Sequence, residues 1–245
     1  MNFDLPKQLK PWENKKSIEF KKWFEEQINL TPEKWSSDFL KYIEIKEQEA
    51  REKPDSEEDN RRTFDRYLGM INLEEQKLKD KSILDVGCLE GDFVISCIEK
   101  GITEKAYGLD RNLEGNALDD KYRNNFFSGE FEKDPPLKNM DYVISVGAIS
   151  LYFNEEDKTM AESMIVKAID SININGEIRI SPVLKVLRGI ELDGIKEEER
   201  VVFEILEKLK REFDIEWELK ATDIGVSGKD KDVWAEQVLI IKHKK

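Results

Sequence analysis

Short apolar runs alternate with amphipathic stretches from about residue 81 onward. The runs predict seven strands, at residues 82–86, 105–109, 125–128, 140–146, 177–181, 213–220 and 236–243. Between several of these strands, residues 92–100, 155–171 and 196–212 repeat apolar side chains at helical spacing. We therefore predict an α/β fold with a mostly parallel sheet and helices on both faces.

The last two predicted strands are connected differently from the others. A polar loop that contains glycine, residues 222–232, separates them in place of a helix. Strands joined in this way can pair antiparallel. The sequence therefore predicts a seven-stranded sheet whose last strand is antiparallel.

Residues 1–80 are rich in aromatic side chains at helical spacing. The positions expected to face inward are Ile18, Phe20, Trp23, Phe24 and Ile28 in one helix, Trp35, Phe39, Leu40, Tyr42 and Ile43 in a second, and Phe64, Tyr67, Leu68, Ile71 and Leu78 in a third. Thr31-Pro32 predicts the start of the second helix, and the third is expected from about residue 56 or 58 to residue 79. We expect an N-terminal helical cap over residues 1–80 and a sheet domain over residues 81–245. The aromatic residues indicate a core, and a lid over a substrate pocket is the alternative.

Charge and length restrict the class of protein. The 245 residues include 40 Lys and Arg against 53 Asp and Glu, a net charge of −13, which disfavours general affinity for nucleic acid or anionic lipid. The longest uncharged stretch, residues 142–154, is shorter than the roughly 20 apolar residues that cross a bilayer. The first ten residues lack the apolar segment of a secretion signal. We therefore expect a cytoplasmic protein without a membrane span.

Cysteine and histidine usage disfavours several chemistries. Cys88 and Cys97 would lie about 13 Å apart along a helix, whereas a disulfide needs Cα atoms within about 7 Å. His243 is the single histidine and lies in a lysine-rich terminal run, where we expect a frayed, solvated tail. We therefore expect no zinc or other metal site and no Ser-His or Cys-His nucleophile pair.

Two acidic strand ends and a glycine-containing turn form the most informative pattern. Asp85 ends the first strand, and Gly87 and Gly91 follow it in a turn that opens a helix. Such a turn lets the backbone approach a ligand closely at the carboxyl edge of a parallel sheet. The second strand ends in Asp110, whose carboxylate is placed to accept hydrogen bonds from the hydroxyls of a ribose.

This pattern resembles the class I S-adenosylmethionine-dependent methyltransferases over residues 80–245. In that family an acid and G-x-G-x-G form the first loop, the acid after the second strand binds the ribose, and a Gly-Asp pair after the third strand places an acid on the adenine amino group. The fourth strand ends beside the transferred methyl. The resemblance assigns cofactor binding to Asp85, Gly87, Cys88, Gly91, Asp110, Arg111, Gly129, Glu130, Ser145 and Val146. An antiparallel last strand is typical of this family and separates it from nicotinamide-binding folds.

One position departs from the family pattern. Leu89 replaces the middle glycine of the first loop, so we expect a modified loop or weaker contact with the methionine part of the cofactor. The resemblance places Ser145, Ser150 and Tyr152 near the methyl group, and Tyr152 is the first catalytic candidate, with a packing aromatic as the alternative. Residues 181–195 are expected to form a solvated connection, or alternatively to border the acceptor site.

The expected activity is methyl transfer to an oxygen or nitrogen of a small-molecule or metabolite acceptor. Displacement at a sulfonium carbon needs mainly positioning and desolvation, so a general base is optional. After the fourth strand there is no Asn-Pro-Pro-Tyr or Asp-Pro-Pro-Tyr run, which would resemble enzymes that methylate amino groups of adenine or glutamine, and no Pro-Cys, which cytosine C5 methylation would need. The alternatives are an RNA methyltransferase with a basic face at residues 61–81, a noncatalytic interaction module, and a nicotinamide enzyme.

Overall fold

The computed structural model describes residues 18–52, 64–133, 135–188, 193–226 and 232–244. Within these ranges the α-helices are α1 (Ile18–Ile28), α2 (Ser37–Glu52), α3 (Phe64–Met70), α4 (Asp92–Glu99), α5 (Lys158–Ser171) and α6 (Asp193–Glu212). The strands are β1 (Ile83–Val86), β2 (Ala106–Asp110), β3 (Phe126–Ser128), β4 (Met140–Val146), β5 (Ile172–Arg188), β6 (Ile215–Val226) and β7 (Val233–His243). Short 3-10 helices lie at Pro32–Lys34, Glu75–Leu78, Gly115–Leu118, Asp120–Asn125 and Ile149–Tyr152.

All seven strands join one mixed sheet in the order β3-β2-β1-β4-β5-β7-β6. The first five strands pair in parallel, and β7 is antiparallel to both β5 and β6. This arrangement confirms the predicted mostly parallel sheet of seven strands with an antiparallel last strand. The strand order reverses between β1 and β4, and open α/β sheets bind ligands at the carboxyl ends of the strands beside such a reversal.

Helices cover both faces of the sheet, as the apolar strands predict. On one face α5 and α6 pack their apolar side chains against β4 and β5, as Ile165 and Ile205 do in the cluster that contains Ile178. On the other face α3 and α4 pack against β1, as Tyr67 and Phe93 do in the cluster that contains Ile83. All four residues of β1 are buried, so the strand that precedes the glycine turn is held firmly from both sides.

Strand β5 is much longer than the sequence predicts. It runs from Ile172 to Arg188 rather than over residues 177–181, and residues 183–188 pair with β7. The expectation of a solvated connection from residue 181 is therefore wrong as far as Arg188, and residues 189–192 lie outside the described residues. Pro182, which lacks an N–H, falls where the pairing shifts between Ile180 and Val183, so the strand continues past it.

The N-terminal helices α1 and α2 pack on the projecting ends of β5, β6 and β7. The inward-facing aromatic residues predicted between Phe20 and Tyr42 form this cluster with strand residues such as Ile224 and Val233. Leu40 is an exception and is 40% exposed.

Helix α2 begins later than predicted. Thr31-Pro32 starts only a 3-10 turn, and Thr31 makes no side-chain cap. Ser36 Oγ instead accepts from Phe39 N–H at 3.2 Å and caps α2.

Helix α3 ends at Met70, earlier than predicted. Asn72 adopts a left-handed conformation with φ of 49°. The N–H groups of Asn72 and Leu73 donate to the carbonyls of Gly69 and Leu68, at 3.1 and 3.0 Å. These bonds form a Schellman motif that closes the helix. The predicted start of this helix, residues 56–63, lies outside the described residues.

Chain-end and membrane expectations have mixed outcomes. His243 belongs to β7 and pairs with Ile215 of β6, so the predicted frayed tail at this residue is wrong. Strand pairing holds it because β7 lies inside the sheet between β5 and β6.

Cys88 and Cys97 are free thiols, both buried. Across the described ranges, none of the helices has the length and apolar character to span a bilayer.

Candidate functional site

Three left-handed residues shape the loop between β1 and α4. Gly87, Leu89 and Gly91 have φ values of 82°, 46° and 76°. Leu89 therefore takes the conformation that favours glycine at this position, at a cost of about 1–2 kcal/mol. Its side chain is 44% exposed. The substitution thus leaves the loop backbone in a glycine-like conformation and adds an apolar side chain at the carboxyl edge of the sheet.

The glycines of this loop lie where no side chain fits. A Cβ at Gly87 would overlap Cβ of Ala148, which follows β4, and a Cβ at Gly91 would overlap the Phe126 ring of β3. Gly87 N–H also donates to the carbonyl of Leu109 at 2.8 Å. The loop is therefore packed between the carboxyl ends of β2 and β4.

Asp110 lies at the end of β2 with its carboxylate fixed by two backbone donors. Leu89 N–H donates to Oδ2 at 3.0 Å, and Asn112 N–H donates to Oδ1 at 2.8 Å. An ionised carboxylate has about four acceptor positions, so each oxygen keeps capacity for another donor. The structure thus brings the glycine loop and the predicted ribose acid into direct contact.

Arg111, Gly129 and Glu130 lie at the adjoining ends of β2 and β3. Gly129 N–H donates to the Asp110 carbonyl at 3.0 Å. Glu130 forms an ion pair with Lys133, and the hydrogen bond from Lys133 holds the pKa of Glu130 below its usual value. Arg111 instead forms an ion pair with Glu132, whose side chain is only 8% exposed. Glu132 is not identifiable as a site residue from the sequence, because no motif distinguishes it from the nearby acids.

The carboxyl end of β4 is buried and is bonded to the 3-10 helix that follows it. Ser145 and Val146 are each 1% exposed. Ser145 Oγ accepts from Ile149 N–H at 3.0 Å and so holds the 3-10 helix that carries Tyr152. Tyr152 is half-buried and close enough to Arg111 to interact with its charge. The structure therefore brings the catalytic candidate to the same edge as the cofactor candidates.

Asp85 and Cys88 are buried rather than open to solvent. The Tyr67 hydroxyl of α3 donates a short hydrogen bond to the Asp85 carboxylate, and the Tyr67 ring stacks on Phe93 at 4.3 Å. Tyr67 lies in the core, as its helical spacing predicts, but its bond to Asp85 has no signal in the sequence. Burial, followed by the charges of Asp85 and Asp110, raises the pKa of the Cys88 thiol, which therefore stays protonated at neutral pH.

The N-terminal helices border the β5 side of the same edge. Ser181 pairs with Val146, the last residue of β4, and β5 continues beyond it to Arg188. On this projection Lys46 of α2 binds Asp223 of β6 at 2.9 Å, and Arg188 binds Glu47 at 2.9 Å. The α1–α2 pair is thus joined to the strands that extend past the glycine loop.

No family model matches the chain, and no curated protein matches it. Several solved structures resemble it. Magnesium protoporphyrin IX methyltransferase from Synechocystis is 16% identical, with a TM-score of 0.45 over 68% of this chain and 72% of that one. Phosphoethanolamine N-methyltransferase 2 from Haemonchus contortus is 12% identical, with a TM-score of 0.49 over 74% of this chain and 53% of that one. The N-methyltransferase NodS from Bradyrhizobium japonicum is 14% identical, with a TM-score of 0.46 over 74% and 96%. The fold assignment rests on the order and directions of the strands.

Proposed function

We propose that the protein is an S-adenosylmethionine-dependent methyltransferase that acts on a small-molecule or metabolite acceptor. The observation that carries the proposal is the contact between the glycine loop and Asp110, where Leu89 N–H donates to the Asp110 carboxylate at 3.0 Å. This contact lies at the carboxyl edge of the sheet, beside the reversal of strand order. A nucleoside cofactor bound at this edge needs a backbone that can approach it closely and a carboxylate that accepts hydrogen bonds from its sugar.

The residues present fit the adenosyl part of this cofactor. The absence of a Cβ at Gly87 and Gly91 lets the loop pack closely against Ala148 and Phe126 beside Asp110, and Asp110 retains acceptor capacity for ribose hydroxyls. The cofactor residues of the proposal are Asp85, Gly87, Cys88, Gly91, Asp110, Arg111, Gly129, Glu130, Ser145 and Val146. Ser145 and Asp85 serve as supports, since their polar atoms are bonded within the protein.

The cofactor supplies an activated methyl group on a positively charged sulfur. The chain's own task is to orient the acceptor and to exclude water, which suffices for much of the acceleration in a displacement of this kind. Tyr152 is the residue proposed to contact the acceptor and to orient it through a hydrogen bond with its hydroxyl, with the acceptor's proton passing to water after the transfer. Arg111, which is paired with Glu132, also interacts electrostatically with Tyr152.

A small acceptor is favoured by charge and by the N-terminal helices. The net charge of −13 opposes a polyanionic substrate, and α1 and α2 pack on the β5 projection beside the edge. We therefore propose that residues 1–80 act as a cap on the acceptor side of the domain formed by residues 81–245. The cytoplasmic location expected from the sequence belongs to the same proposal.

Calorimetric titration with S-adenosylmethionine and S-adenosylhomocysteine tests the cofactor. We expect the wild type to bind both and Asp110→Ala to bind at least tenfold more weakly, since a charged hydrogen-bond acceptor contributes about 1.5–3 kcal/mol. Absence of binding to the wild type would reject the assignment.

Transfer of labelled methyl into a cell extract then separates the functions. A labelled small molecule supports the proposal, whereas labelled RNA identifies the RNA methyltransferase. Tight cofactor binding without any labelled product indicates the noncatalytic module.

A further inference from the structure

Glu132 is a buried carboxylate that holds one side chain of the site. Its side chain is 8% exposed, and it forms an ion pair with Arg111, whose side chain is 44% exposed. The second oxygen, Oε2, is buried and makes no hydrogen bond within the described part of the chain. A charge removed from water needs a partner, so the pair strongly favours one position of the Arg111 side chain.

Arg111 is the middle residue of the turn that orients Asp110. In this turn Asn112 N–H donates to Asp110 Oδ1 at 2.8 Å, which is the Asx-turn pattern. The turn sets the direction of the Asp110 carboxylate. The ion pair that anchors Arg111 therefore restricts the direction in which the Asp110 carboxylate points.

The pair also continues the connection between β2 and β3 beyond the sheet. Asp110 pairs with Ser128 in the strand ladder, and Gly129 N–H donates to the Asp110 carbonyl at 3.0 Å. Beyond these bonds, the Arg111–Glu132 ion pair joins the segments that follow β2 and β3. Glu130 also interacts with the charge of Arg111, but its ion pair is with Lys133.

We propose that Glu132 is a positioning residue that acts through Arg111 to hold the Asp110 carboxylate toward the ribose hydroxyls of the cofactor. The inference rests on the proposed function and adds a residue that the sequence pattern did not assign. Glu132 does not touch the ligand itself. Its effect should therefore appear only with ligands that carry the hydroxyls that Asp110 binds.

Titration of Glu132→Gln with two ligands tests this role. The ligands are S-adenosylhomocysteine and its 2′,3′-dideoxy analogue, which lacks the hydroxyls. We expect the wild type to prefer the hydroxylated ligand. Glu132→Gln should bind that ligand about tenfold more weakly and bind the analogue within about twofold of the wild type, because residues in one network typically couple by 0.5–3 kcal/mol.

Glu162→Gln is the matched control. It also removes a partly buried carboxylate with an exposed cationic partner, Lys208, at side-chain exposures of 23% and 46%, but between α5 and α6. It should leave the affinities for both ligands unchanged. If Glu132→Gln fails to fold, Glu132→Asp provides the comparison, since it keeps the buried charge and shortens its reach to Arg111.

Each outcome decides between the two claims. A wild type that binds neither ligand overturns the proposed function and the positioning role together. A wild type that binds S-adenosylhomocysteine, with a variant that weakens both ligands equally or neither, overturns the positioning role alone. Equal binding of both ligands by the wild type overturns it as well, because Asp110 would then not read the hydroxyls.

Discussion

Left-handed backbone at single residues determines the shape of the loop after β1. At Gly87 two requirements coincide, a φ of 82° and an approach to Ala148 that leaves no room for a Cβ. At Leu89 only the first applies, because its φ is 46° and its side chain is 44% exposed. A side chain is therefore tolerated at the middle position of the loop and not at the first.

Alanine substitution at Gly87 should be much more damaging than at Gly101. Gly101 also has a positive φ, 65°, but nothing lies within 4 Å of a Cβ there. Gly101→Ala should lower the free energy of unfolding by about 1–2 kcal/mol for its backbone conformation. Gly87→Ala should lower it by about 2 kcal/mol more, since overlap with Ala148 adds to that cost. Urea denaturation measures both, and equal losses would show that the close approach is unimportant.

Site residues were predictable where local sequence fixes them. The glycine turn and the acid Asp110 are visible because strand, turn and helix signals are contiguous at Gly87–Gly91. Glu132 and Tyr67 were not predictable as site residues, because their roles depend on partners distant in sequence, Arg111 and Asp85. A buried carboxylate cannot be told from an exposed one by its neighbours along the chain.

At the scale of elements, tertiary pairing overrode local signals. Strand β5 continues through Pro182 and the charged Lys185 and Arg188 because β7 supplies partners on its open side. The α3 C-terminus, in contrast, carried a local signal in Asn72, a residue tolerant of the left-handed conformation. The seven strands and the α4, α5 and α6 helices were predicted, and the errors lie at the ends of elements.

The α1–α2 pair should stabilise the projecting strands that it covers. Phe39 is completely buried between these helices and the strands, so Phe39→Ala should cost about 3–5 kcal/mol. Hydrogen exchange should then accelerate at Ile224 and Val233 and remain slow in β1. Leu40→Ala, at the neighbouring 40% exposed position, should cost less than about 1 kcal/mol. Unchanged exchange in β6 and β7 after Phe39→Ala would contradict the packing.

At the scale of the whole molecule, two carboxyl groups of α6 whose pKa values shift in opposite directions contribute to the pH dependence of stability. Burial raises the pKa of Glu198 to about 7, although the N–H of Leu184 donates to it. Hydrogen bonds from Lys158 and Arg200 lower the pKa of the exposed Glu204. The folded state therefore favours the protonated form of the first residue and the ionised form of the second.

These directions predict opposite effects of two substitutions on one helix. Glu198 contributes stability below its unfolded pKa of about 4.5, and this contribution is lost as pH rises toward 7. Glu198→Gln should therefore raise the thermal midpoint at pH 8 and leave it nearly unchanged at pH 4. Glu204 contributes above about 4.5 and loses its contribution as pH falls, so Glu204→Gln should lower the midpoint slightly at pH 8. Thermal unfolding of both variants across pH 4–8 measures this. A Glu198→Gln variant that is less stable at pH 8 than the wild type would show that the ionised carboxylate is stabilised in the fold.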